Sequence, residues 1–316
     1  MENKIFRQKL PAGKKNFDIL LCQFGTLAPS LMQLKKQSGL RGKLVTMIRG
    51  KDITQKASEN KQAYAQLFKT GDFFVPVCSL FKQKLIKLGC TPAKIQVIHS
   101  GIDCTKFSFR PKTPEPNKPV KLITVSRLVE KKGTEYAIKA AYNLLQKHVN
   151  LEYSIVGDGP LRQQLQQLIN SLGIQEKVKL LGWRSHDEVI QLLSSSHIFI
   201  LPSLTAYNGD SEGIPNALKE AMAIGLPVIS TYHSGIPELI KDGITGFLVP
   251  ERNSTALEDK LAYLLHNTQT WHTLSTHARS FVEQKFSIRK SNQQLHILLT
   301  TLAHQNRAHY SEDLLW

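Results

Sequence analysis

The sequence predicts an α/β fold with two doubly wound domains, of which the first is incomplete. Short apolar segments alternate with amphipathic helical ones along most of the 316 residues, as is typical of parallel strands joined by right-handed crossovers. Segment 109–119 contains four prolines and divides this alternation into two series, because closely spaced prolines interrupt regular structure. A chain of this length accommodates two domains.

The first series is short. Its predicted strands are 17–24, 43–48, 73–77 and 95–98, and its predicted helices are 29–37, 59–69 and 79–88. Doubly wound domains usually have about five or six strands. We therefore expect domain 1–108 to contain only part of such a sheet.

The second series has the pattern of a whole domain. Its predicted strands are 121–125, 151–156, 178–181, 198–201, 228–231 and 247–249, separated by helices at 134–147, 160–172, 185–193, 215–223 and 237–240. Helices are also predicted at 254–267, 271–284 and 287–307. Strands and helices in this order form a complete doubly wound sheet, which binds ligands at the carboxyl ends of its strands.

Composition and charge restrict the possible function classes. No apolar stretch approaches the roughly 18 residues that span a bilayer, and the start of the chain has no signal core, so a cytoplasmic protein is expected. The four cysteines are widely spaced without a CxxC pair, which argues against zinc. The net charge of +16 is concentrated early in the chain. It indicates a solvated surface, an anionic membrane face, an anionic substrate or, without aromatic–basic interleaving less favourably, nucleic acid.

The segment 207–227 combines two carboxylates with a helix start. Glu212 and Gly213 precede a helix that contains Glu220 and ends at Gly225, and the free N–H groups at a helix start suit an anion. The spacing of the two glutamates corresponds to at most about 12 Å of helix, whereas paired glycosidase carboxylates lie about 5 to 9.5 Å apart. The two glutamates are therefore predicted to contact different parts of one elongated ligand.

Two polar loops are candidates for further ligand contacts. Loop 126–133 follows the first strand of the second series and carries Arg127 and Lys132. Two cations beside free N–H groups suit a diphosphate, and the alternative is a solvated basic turn. Arg49 to Asp52 follow the second predicted strand of the first domain, where they form either a polar turn or a ligand contact.

Three other patterns are interpreted as structural. Segment 157–160 lacks the third glycine of the dinucleotide fingerprint and is predicted to be a tight turn. Residues 208–213 match half of a calcium loop, but Lys219 stands where that loop needs a glutamate, so no metal site is predicted. The scattered histidines show no metal-binding spacing and are interpreted as structural. They include His99, His186, His197 and His233.

Motifs spread in order over residues 121–250 resemble those of one family. They are Ser126-Arg127-Leu128 with Lys132-Gly133, Val156 to Leu161, Leu181-Gly182-Trp183, Leu201-Pro202-Ser203, Glu212 to Asn216 with Glu220 to Ala223 and Gly225 to Val228, and Gly243 to Pro250. Together they resemble the retaining glycosyltransferases of the GT-B type, in the family 4 or "group 1" set. Stretches 22–25, 49–52 and 231–239 are more narrowly similar to the exopolysaccharide branch with colanic-acid-type transferases.

The resemblance implies a GT-B fold of two doubly wound Rossmann-like domains, the N-terminal one lacking its first part. The implied divisions are a partial acceptor-side domain, a proline-rich linker, a nucleotide-sugar-binding domain, and a C-terminal crossover helix with a tail. Their limits are 1–108, 109–119, 120–286 and 287–316.

The resemblance also implies roles for the candidate residues. Arg127 and Lys132 neutralise the donor diphosphate, Glu212 lies beside the donor sugar, and Glu220 accepts hydrogen bonds from the ribose. Arg49 stands where many members have a histidine that touches the sugar. The donor-binding candidates besides Glu220 are Gly182, Trp183, Arg184, Gly213, Ile214, Pro215, Asn216, Arg49 and Asp52. No metal is implied, because the basic pair stabilises the leaving group.

The implied activity is that of a hexosyltransferase-type enzyme. It moves a sugar from a nucleotide-sugar, with retention of configuration, to a growing, lipid-linked surface polysaccharide. The nucleotide-sugar is a co-substrate and no other cofactor is expected. Expected partners are this donor, a glycan or lipid-linked acceptor and the inner face of the membrane, but no nucleic acid. The alternatives are a catalytically impaired nucleotide-sugar-binding or partner subunit and a GT-B-fold sugar epimerase.

Overall fold

The computed structural model describes residues 15–56, 59 and 61–312. They form two compact units: unit 1 comprises the chain up to Ile98 and from Gln293 onwards, and unit 2 comprises His99–Asn292. The basic leader before residue 15 and the end of the predicted tail, 313–316, lie outside the described residues.

Unit 1 contains a three-stranded parallel sheet in the order β1-β2-β3. Its elements in chain order are β1 (Asn16–Cys22), α1 (Ala28–Ser38), β2 (Arg41–Ile48), α2 (Lys61–Thr70), β3 (Phe73–Pro76) and α3 (Ser79–Lys87). Three of the four predicted strands are thereby confirmed.

The fourth predicted strand, 95–98, is wrong. Ile95 makes only an isolated parallel bridge to Phe74, and the amide of Ile98 bonds a carbonyl of β3. A 3-10 turn at Pro92–Lys94 ends immediately before this segment, and unit 1 ends at Ile98. The segment runs beside β3, where the Gln96 and Ile98 amides donate to the Phe74 and Pro76 carbonyls, but it forms one bridge and no continuous ladder.

The long helix α11 (Ile288–Glu312) completes the core of unit 1. Its Leu298 and Leu302 pack with Val45 and Val75 of the sheet. Because α11 begins in unit 2 and its residues from 293 belong to unit 1, it is a crossover helix.

Unit 2 contains a six-stranded parallel sheet in the order β6-β5-β4-β7-β8-β9. Its strands are β4 (Val120–Val125), β5 (Leu151–Val156), β6 (Val178–Gly182), β7 (Ile198–Ile200), β8 (Val228–Thr231) and β9 (Phe247–Val249). Its helices are α4 (Thr134–Gln146), α5 (Arg162–Ser171), α6 (His186–Ser194), α7 (Asn216–Ile224), α8 (Ile236–Leu239), α9 (Ser254–His266) and α10 (Trp271–Lys285). All six predicted strands are confirmed, with ends within one residue of those expected.

The strand order reverses between β4 and β7. Strand β4 pairs with β5 on one side and with β7 on the other, so the chain winds outward in both directions from this pair. In such sheets the crevice beyond the carboxyl ends of the strands at the reversal is where ligands bind. The topology therefore predicts that a ligand binds at the loops that follow these strands.

The centre of this sheet is buried on both faces. Every residue of β7 and β8 is buried, because helices cover both sides of a parallel sheet. Strand β7 is accordingly apolar throughout, and the polar Ser230 and Thr231 of β8 donate to the Leu201 and Ser203 carbonyls. The polar Thr124 in β4 is accommodated by hydrogen bonds. Its Oγ1 lies 2.7 Å from the Tyr153 hydroxyl and donates to the Ile200 carbonyl at 2.5 Å.

The proline-rich segment 109–119 lies inside unit 2, and the division between the units falls earlier in the chain. The Arg110 amide donates to the Ile224 carbonyl at 2.8 Å, and Lys112 Nζ donates to the Ser194 carbonyl at 2.6 Å. The segment therefore satisfies carbonyls at the carboxyl ends of α7 and α6, which lack partners within their own helices.

Gly133, between the β4 loop and α4, is required for close packing. Its φ is +63°, and an added Cβ would lie 2.0 Å from the Pro202 carbonyl oxygen. Gly173 has a similar φ of +68° but open space around it. Gly173→Ala should therefore lose only about 1–2 kcal/mol of unfolding free energy, the cost of a left-handed alanine, whereas Gly133→Ala should lose clearly more. Urea unfolding of both variants checks this, and equal losses would contradict the required close approach.

Candidate active site

Four loops meet at the carboxyl edge of the unit 2 sheet. They follow β4, β7, β8 and β9 and comprise 126–133, 201–215, 232–235 and 250–253. Side-chain contacts link all four loops through Glu212, whose side chain is only 15% exposed. The predicted carboxylate is thus the centre of the site.

Two lysines bind this carboxylate. Lys132 Nζ lies 3.1 Å from Glu212 Oε2 and Lys131 Nζ lies 3.1 Å from Glu212 Oε1. Lys131 Nζ also lies 3.1 Å from Asp210 Oδ2. We call these four residues the lysine–carboxylate cluster. It joins the β4 loop to the β7 loop at the strand-order reversal.

The environment shifts the pKa of two members of the cluster. Burial raises the pKa of Glu212, but Lys132 and Lys131 outweigh burial, so its pKa lies below the ordinary value. Burial lowers the pKa of Lys132, and Glu212 opposes this only in part. Glu212 is therefore held as a carboxylate, and Lys132 is a desolvated cation that gains from any additional negative charge.

Arg127 adds a third cation to the loop after β4. Its side chain is exposed, and no hydrogen bond or ion pair joins it to the rest of the described chain. Its charge contributes to lowering the pKa of Lys132. Arg127 and Lys132 lie on the same loop, and the exposed Arg127 is open to an incoming anion.

His233 connects Glu212 to the β8 and β9 loops. The Glu212 amide donates to His233 Nε2 at 3.1 Å, and His233 Nδ1 lies 2.5 Å from Glu251 Oε1. An amide N–H can only donate, so Nε2 carries no proton and the imidazole proton is on Nδ1, facing Glu251. The Thr205 amide donates to the other oxygen of this carboxylate at 2.9 Å.

The start of α7 lies directly after the cluster. The helix begins at Asn216, and Pro215 is the extended residue before it rather than its first residue. No side chain caps this end, so first-turn N–H groups are open to an anion. Gly213 and Ile214 connect Glu212 to the helix, and the Gly213 carbonyl accepts from an amide of the β8 loop at 3.1 Å.

Glu220 is half-buried on the second turn of α7. Burial raises its pKa, with His186 and Lys219 acting in the opposite direction. Within the described ranges no hydrogen bond or ion pair satisfies its carboxylate. A partly desolvated carboxylate of this kind gains from hydroxyl donors on a ligand.

The end of β6 forms another part of the same edge. Gly182 has a φ of +75°, and its carbonyl accepts from the Gly157 amide at 2.8 Å, which joins the ends of β5 and β6. Trp183 is 72% exposed. Arg184 Nη1 donates to the Trp183 carbonyl at 3.0 Å. An exposed indole next to a guanidinium offers a flat surface for a ligand ring.

Arg49 and Asp52 lie in unit 1. Asp52 is 2% exposed, and its carboxylate oxygens accept from the Thr26 amide at 3.2 Å and the Arg49 amide at 2.9 Å. The Arg49 guanidinium lies 5.3 Å from the centre of the Phe24 ring. Asp52 therefore holds together the loops after β1 and β2, and a ligand contact for either residue stays a prediction.

No ligand-binding or catalytic role was assigned from the sequence to four residues in the contacts around Glu212, which are Lys131, Asp210, His233 and Glu251. Lys131 is the neighbour of Lys132 in the β4 loop, and the diphosphate-binding pattern was already explained by Arg127 and Lys132. His233 was interpreted as structural for want of a metal-binding spacing. Its position directly after β8 is the available signal, since all parallel strands present their carboxyl ends to one edge.

Neither a metal cluster nor a membrane span is found in the parts of the chain that the structure describes. No three histidine, cysteine, aspartate or glutamate side chains there are grouped to hold an ion. None of the described helices is long and apolar enough to cross a bilayer.

Comparison with known proteins identifies the class and the family. A family model described as glycosyl transferases group 1 matches residues 105–281. The chain is a glycosyltransferase of the GT-B fold. It belongs to the group 1 glycosyl transferases, and the family predicted from the motifs is thereby confirmed.

Two relatives match most of the chain. It is 39% identical over 288 residues to the putative colanic acid biosynthesis glycosyltransferase WcaL of Salmonella typhimurium, covering 90% of this chain and 71% of that protein. It is 39% identical over 296 residues to the amylovoran biosynthesis glycosyltransferase AmsK of Erwinia amylovora, covering 92% and 72%.

Solved structures share the fold. Anabaena Alr3699/HepE, determined in complex with UDP-glucose, superposes with a TM-score of 0.76 at 21% identity, covering 90% of this chain and 79% of that one. A glycosyltransferase from Rickettsia africae ESF-5 superposes with a TM-score of 0.76 at 24% identity, covering 91% and 77%. These neighbours confirm the predicted GT-B architecture.

Proposed function

We propose that the carboxyl edge of unit 2 binds a nucleotide diphosphate-sugar and that the enzyme transfers its sugar to a glycan. The observation that carries this proposal is the pair of lysines, Lys131 and Lys132, bound to Glu212 at the strand-order reversal, with the exposed Arg127 on the same β4 loop. The fold neighbour Alr3699/HepE, determined with UDP and with UDP-glucose, supports a donor of this kind.

The diphosphate is the part of the donor that the cations recognise. Arg127 is exposed and open to an anion, and Lys132 is a desolvated cation beside it. Together with the uncapped start of α7, they oppose the negative charge that develops on the departing nucleotide diphosphate. We assign this stabilisation to side chains and backbone, so the transfer needs no metal.

Donor binding changes the partner of Lys132. In the structure Lys132 pairs with Glu212, and a diphosphate with a larger charge replaces that carboxylate. Glu212 then faces the sugar, where a carboxylate stabilises the positive charge that grows at the anomeric carbon. The leaving group stays on the cationic side of the sugar, and transfer proceeds with retention of configuration.

The nucleoside extends from the diphosphate towards α7 and β6. Glu220 accepts hydrogen bonds from the ribose hydroxyls, which its partly buried and unsatisfied carboxylate favours. Residues Gly182, Trp183 and Arg184 lie beside the base, where the exposed indole supplies a stacking surface. The segment from Gly213 to Asn216 contributes backbone N–H groups to the phosphates.

The acceptor is a growing surface polysaccharide. The relatives named for colanic acid and amylovoran biosynthesis support this substrate class. The net charge of +16 suits a lipid-linked diphosphate acceptor at an anionic membrane face. We therefore propose that the enzyme works at the inner face of the membrane and that unit 1 supplies the residues that bind the acceptor.

Arg127→Ala tests this function, and Arg110→Ala is its matched control. Both arginines are exposed, but Arg110 lies at the carboxyl end of α7, away from the cluster. Arg127→Ala should slow sugar transfer by at least about 100-fold, the usual effect of removing one group that stabilises developing charge, and Arg110→Ala should not. A panel of nucleotide-sugars, scored by thermal shift and by sugar release, supplies the donor for the assay.

Two results would contradict the proposal. Wild-type transfer rates in Arg127→Ala would show that this arginine does not stabilise the leaving group. Donor binding by the wild type without transfer or hydrolysis of any nucleotide-sugar would indicate a catalytically impaired binding subunit instead.

A further inference from the structure

Glu212 stands at the end of loop 205–212, which contains no helix or strand. Its tip is open to solvent, with Tyr207 89% exposed. Inside the loop, the Gly209 amide bonds the Ala206 carbonyl at 2.8 Å and the Ala206 amide bonds the Asp210 carbonyl at 2.9 Å. These short-range bonds shape the loop, and the β4 loop holds its middle, since Glu130 Oε1 accepts from the Tyr207 amide at 3.0 Å and Lys131 pairs with Asp210. A loop that carries a reacting group needs such fixing, because a displacement of about 1 Å can cost about 100-fold in rate.

One imidazole–carboxylate pair supplies contacts at both ends of this loop. At the far end, the Glu212 amide donates to His233 Nε2 at 3.1 Å. His233 Nδ1 donates to Glu251 Oε1 at 2.5 Å. At the near end, the Thr205 amide donates to Glu251 Oε2 at 2.9 Å. Both ends of the loop are thereby tied to the ends of β8 and β9.

The histidine itself is held rigidly. His233 is 1% exposed, its amide bonds the Thr231 carbonyl at 2.7 Å, and its carbonyl accepts from the Ile236 amide at 2.9 Å. The next residue, Ser234, has a φ of +50°, a left-handed conformation that is unfavourable for a serine. Such backbone strain persists where surrounding contacts over-determine it, here at the turn that directs the imidazole towards Glu212.

The hydrogen-bond pattern also fixes the protonation of the pair. Nε2 must stay unprotonated to accept from the Glu212 amide, and the Glu251 carboxylate keeps the proton on Nδ1 by accepting from it. Glu251 therefore selects the tautomer that can hold the loop. Lysine and arginine side chains could not replace this histidine, since neither offers an acceptor.

We propose that His233, oriented by Glu251, is a positioning residue that fixes the Glu212 backbone for the transfer reaction. It does not touch the substrate, and it acts through the Glu212 amide. The lysine–carboxylate cluster keeps the Glu212 side chain ionised, and His233 fixes the position of the Glu212 backbone. The catalytic part of this proposal rests on the proposed function, whereas the positioning part concerns the protein alone.

Four variants separate positioning from general stability. His233→Ala removes both hydrogen bonds, and His197→Ala is the matched control. His197 Nδ1 accepts from the Lys121 amide at 2.9 Å, but His197 precedes β7 and so lies at the opposite, amino-terminal edge of the sheet. His233→Gln puts a carbonyl oxygen near the Nε2 position and restores the acceptor for Glu212. His233→Asn restores only a donor to Glu251.

The catalytic readout is the split between kcat and KM. His233→Ala should lower kcat for sugar transfer about 10- to 100-fold, with the donor KM within about threefold of the wild-type value. His197→Ala should lose thermal stability without this loss of kcat. His233→Gln should recover part of kcat, and His233→Asn should not. Equal kcat losses in the two alanine variants, or equal rates in the Gln and Asn variants, would overturn the proposal.

A second readout does not depend on catalysis. Hydrogen–deuterium exchange at the Glu212 amide should accelerate in His233→Ala and His233→Asn and stay slow in His197→Ala and His233→Gln. Unchanged protection in His233→Ala would show that His233 does not hold the loop. If the wild type transfers no sugar from any donor, the proposed function fails, while the exchange measurement still decides whether His233 positions Glu212.

Discussion

The Glu212→Gln variant is expected to bind a nucleotide diphosphate at least as tightly as the wild type, while its transfer rate falls about 100- to 1,000-fold. The two effects have opposite directions because Glu212 has two roles. In the absence of donor its carboxylate occupies Lys131 and Lys132 at 3.1 Å and so competes with the diphosphate. In the transition state the same carboxylate stabilises the developing positive charge on the sugar, which a neutral amide cannot do.

The measurement compares the thermal shift produced by the nucleotide diphosphate with single-turnover transfer rates. Without ligand, Glu212→Gln should unfold at a lower temperature, because two poorly solvated lysines lose a carboxylate. Bound diphosphate stabilises the native state, so the shift should be larger than in the wild type. Weaker diphosphate binding together with an unchanged transfer rate would contradict both assigned roles.

Asp210→Asn is the matched control for this prediction. Asp210 lies on the same loop and binds the same Lys131 at 3.1 Å, but it makes no ion pair with Lys132 among the described contacts. Its replacement should weaken the cluster without removing the carboxylate beside the sugar. We expect a rate change of less than about tenfold, the range of one partly exposed ion pair. Equal losses in the two variants would mean that the cluster is structural.

The sheet of unit 2 was predictable from sequence because its signal is local and repeated. Strands such as β7 and β9 are continuous apolar segments in which every residue is buried, as is typical of parallel strands that helices cover on both faces. Helix starts are also encoded locally: Ser185 and Glu188, three residues apart, form a capping box, a pattern that marks helix starts in sequences. The fourth predicted strand of unit 1 was wrong although segment 95–98 has a strand's composition, because composition does not determine whether a segment pairs continuously with its neighbour, and Ile95 forms only one bridge.

The site was predictable only in part. Arg127, Lys132 and Glu212 lie in the loops that follow β4 and β7, so topology brings them to one edge. The bond between Glu212 and His233 joins residues 21 positions apart, and no periodicity encodes such a pairing. A histidine that follows a strand can point into solvent or under a neighbouring loop, depending on the backbone turn. Here the turn includes Ser234, whose φ is +50°. Composition does not reveal such a turn.

Asp52 shows the same limit in unit 1. A polar segment after a strand was equally compatible with a turn and with a ligand contact. The structure engages both carboxylate oxygens in backbone hydrogen bonds, to Thr26 and Arg49. These bonds reach across 26 and 3 residues, and only the shorter one could have been anticipated from a local turn pattern. The structural role of the Asp52 side chain therefore depends on the fold and could not be read from the segment 49–52 alone.

Lys132→Ala is expected to lower kcat/KM for the donor about 100- to 1,000-fold, and Lys131→Ala about tenfold. The two lysines are neighbours with the same charge, yet their partners differ. Lys131 is shared between Asp210 and Glu212, so Asp210 still neutralises it when Glu212 turns to the sugar. Lys132 has Glu212 as its only ion-pair partner among the described residues, so donor binding releases its whole charge for the diphosphate.

Burial strengthens this difference. Desolvation lowers the pKa of Lys132, which means that its cation is poorly solvated and gains more from a dianionic leaving group than an exposed lysine would. Steady-state kinetics over donor concentration, with diphosphate affinity measured separately, tests the ranking. Loss of diphosphate affinity should accompany the rate loss in Lys132→Ala and be small in Lys131→Ala. A larger loss in Lys131→Ala than in Lys132→Ala would contradict this ranking. Lys131 would then be the main cation that stabilises the leaving diphosphate, and the ion pairs seen without donor would not predict which lysine becomes available to it.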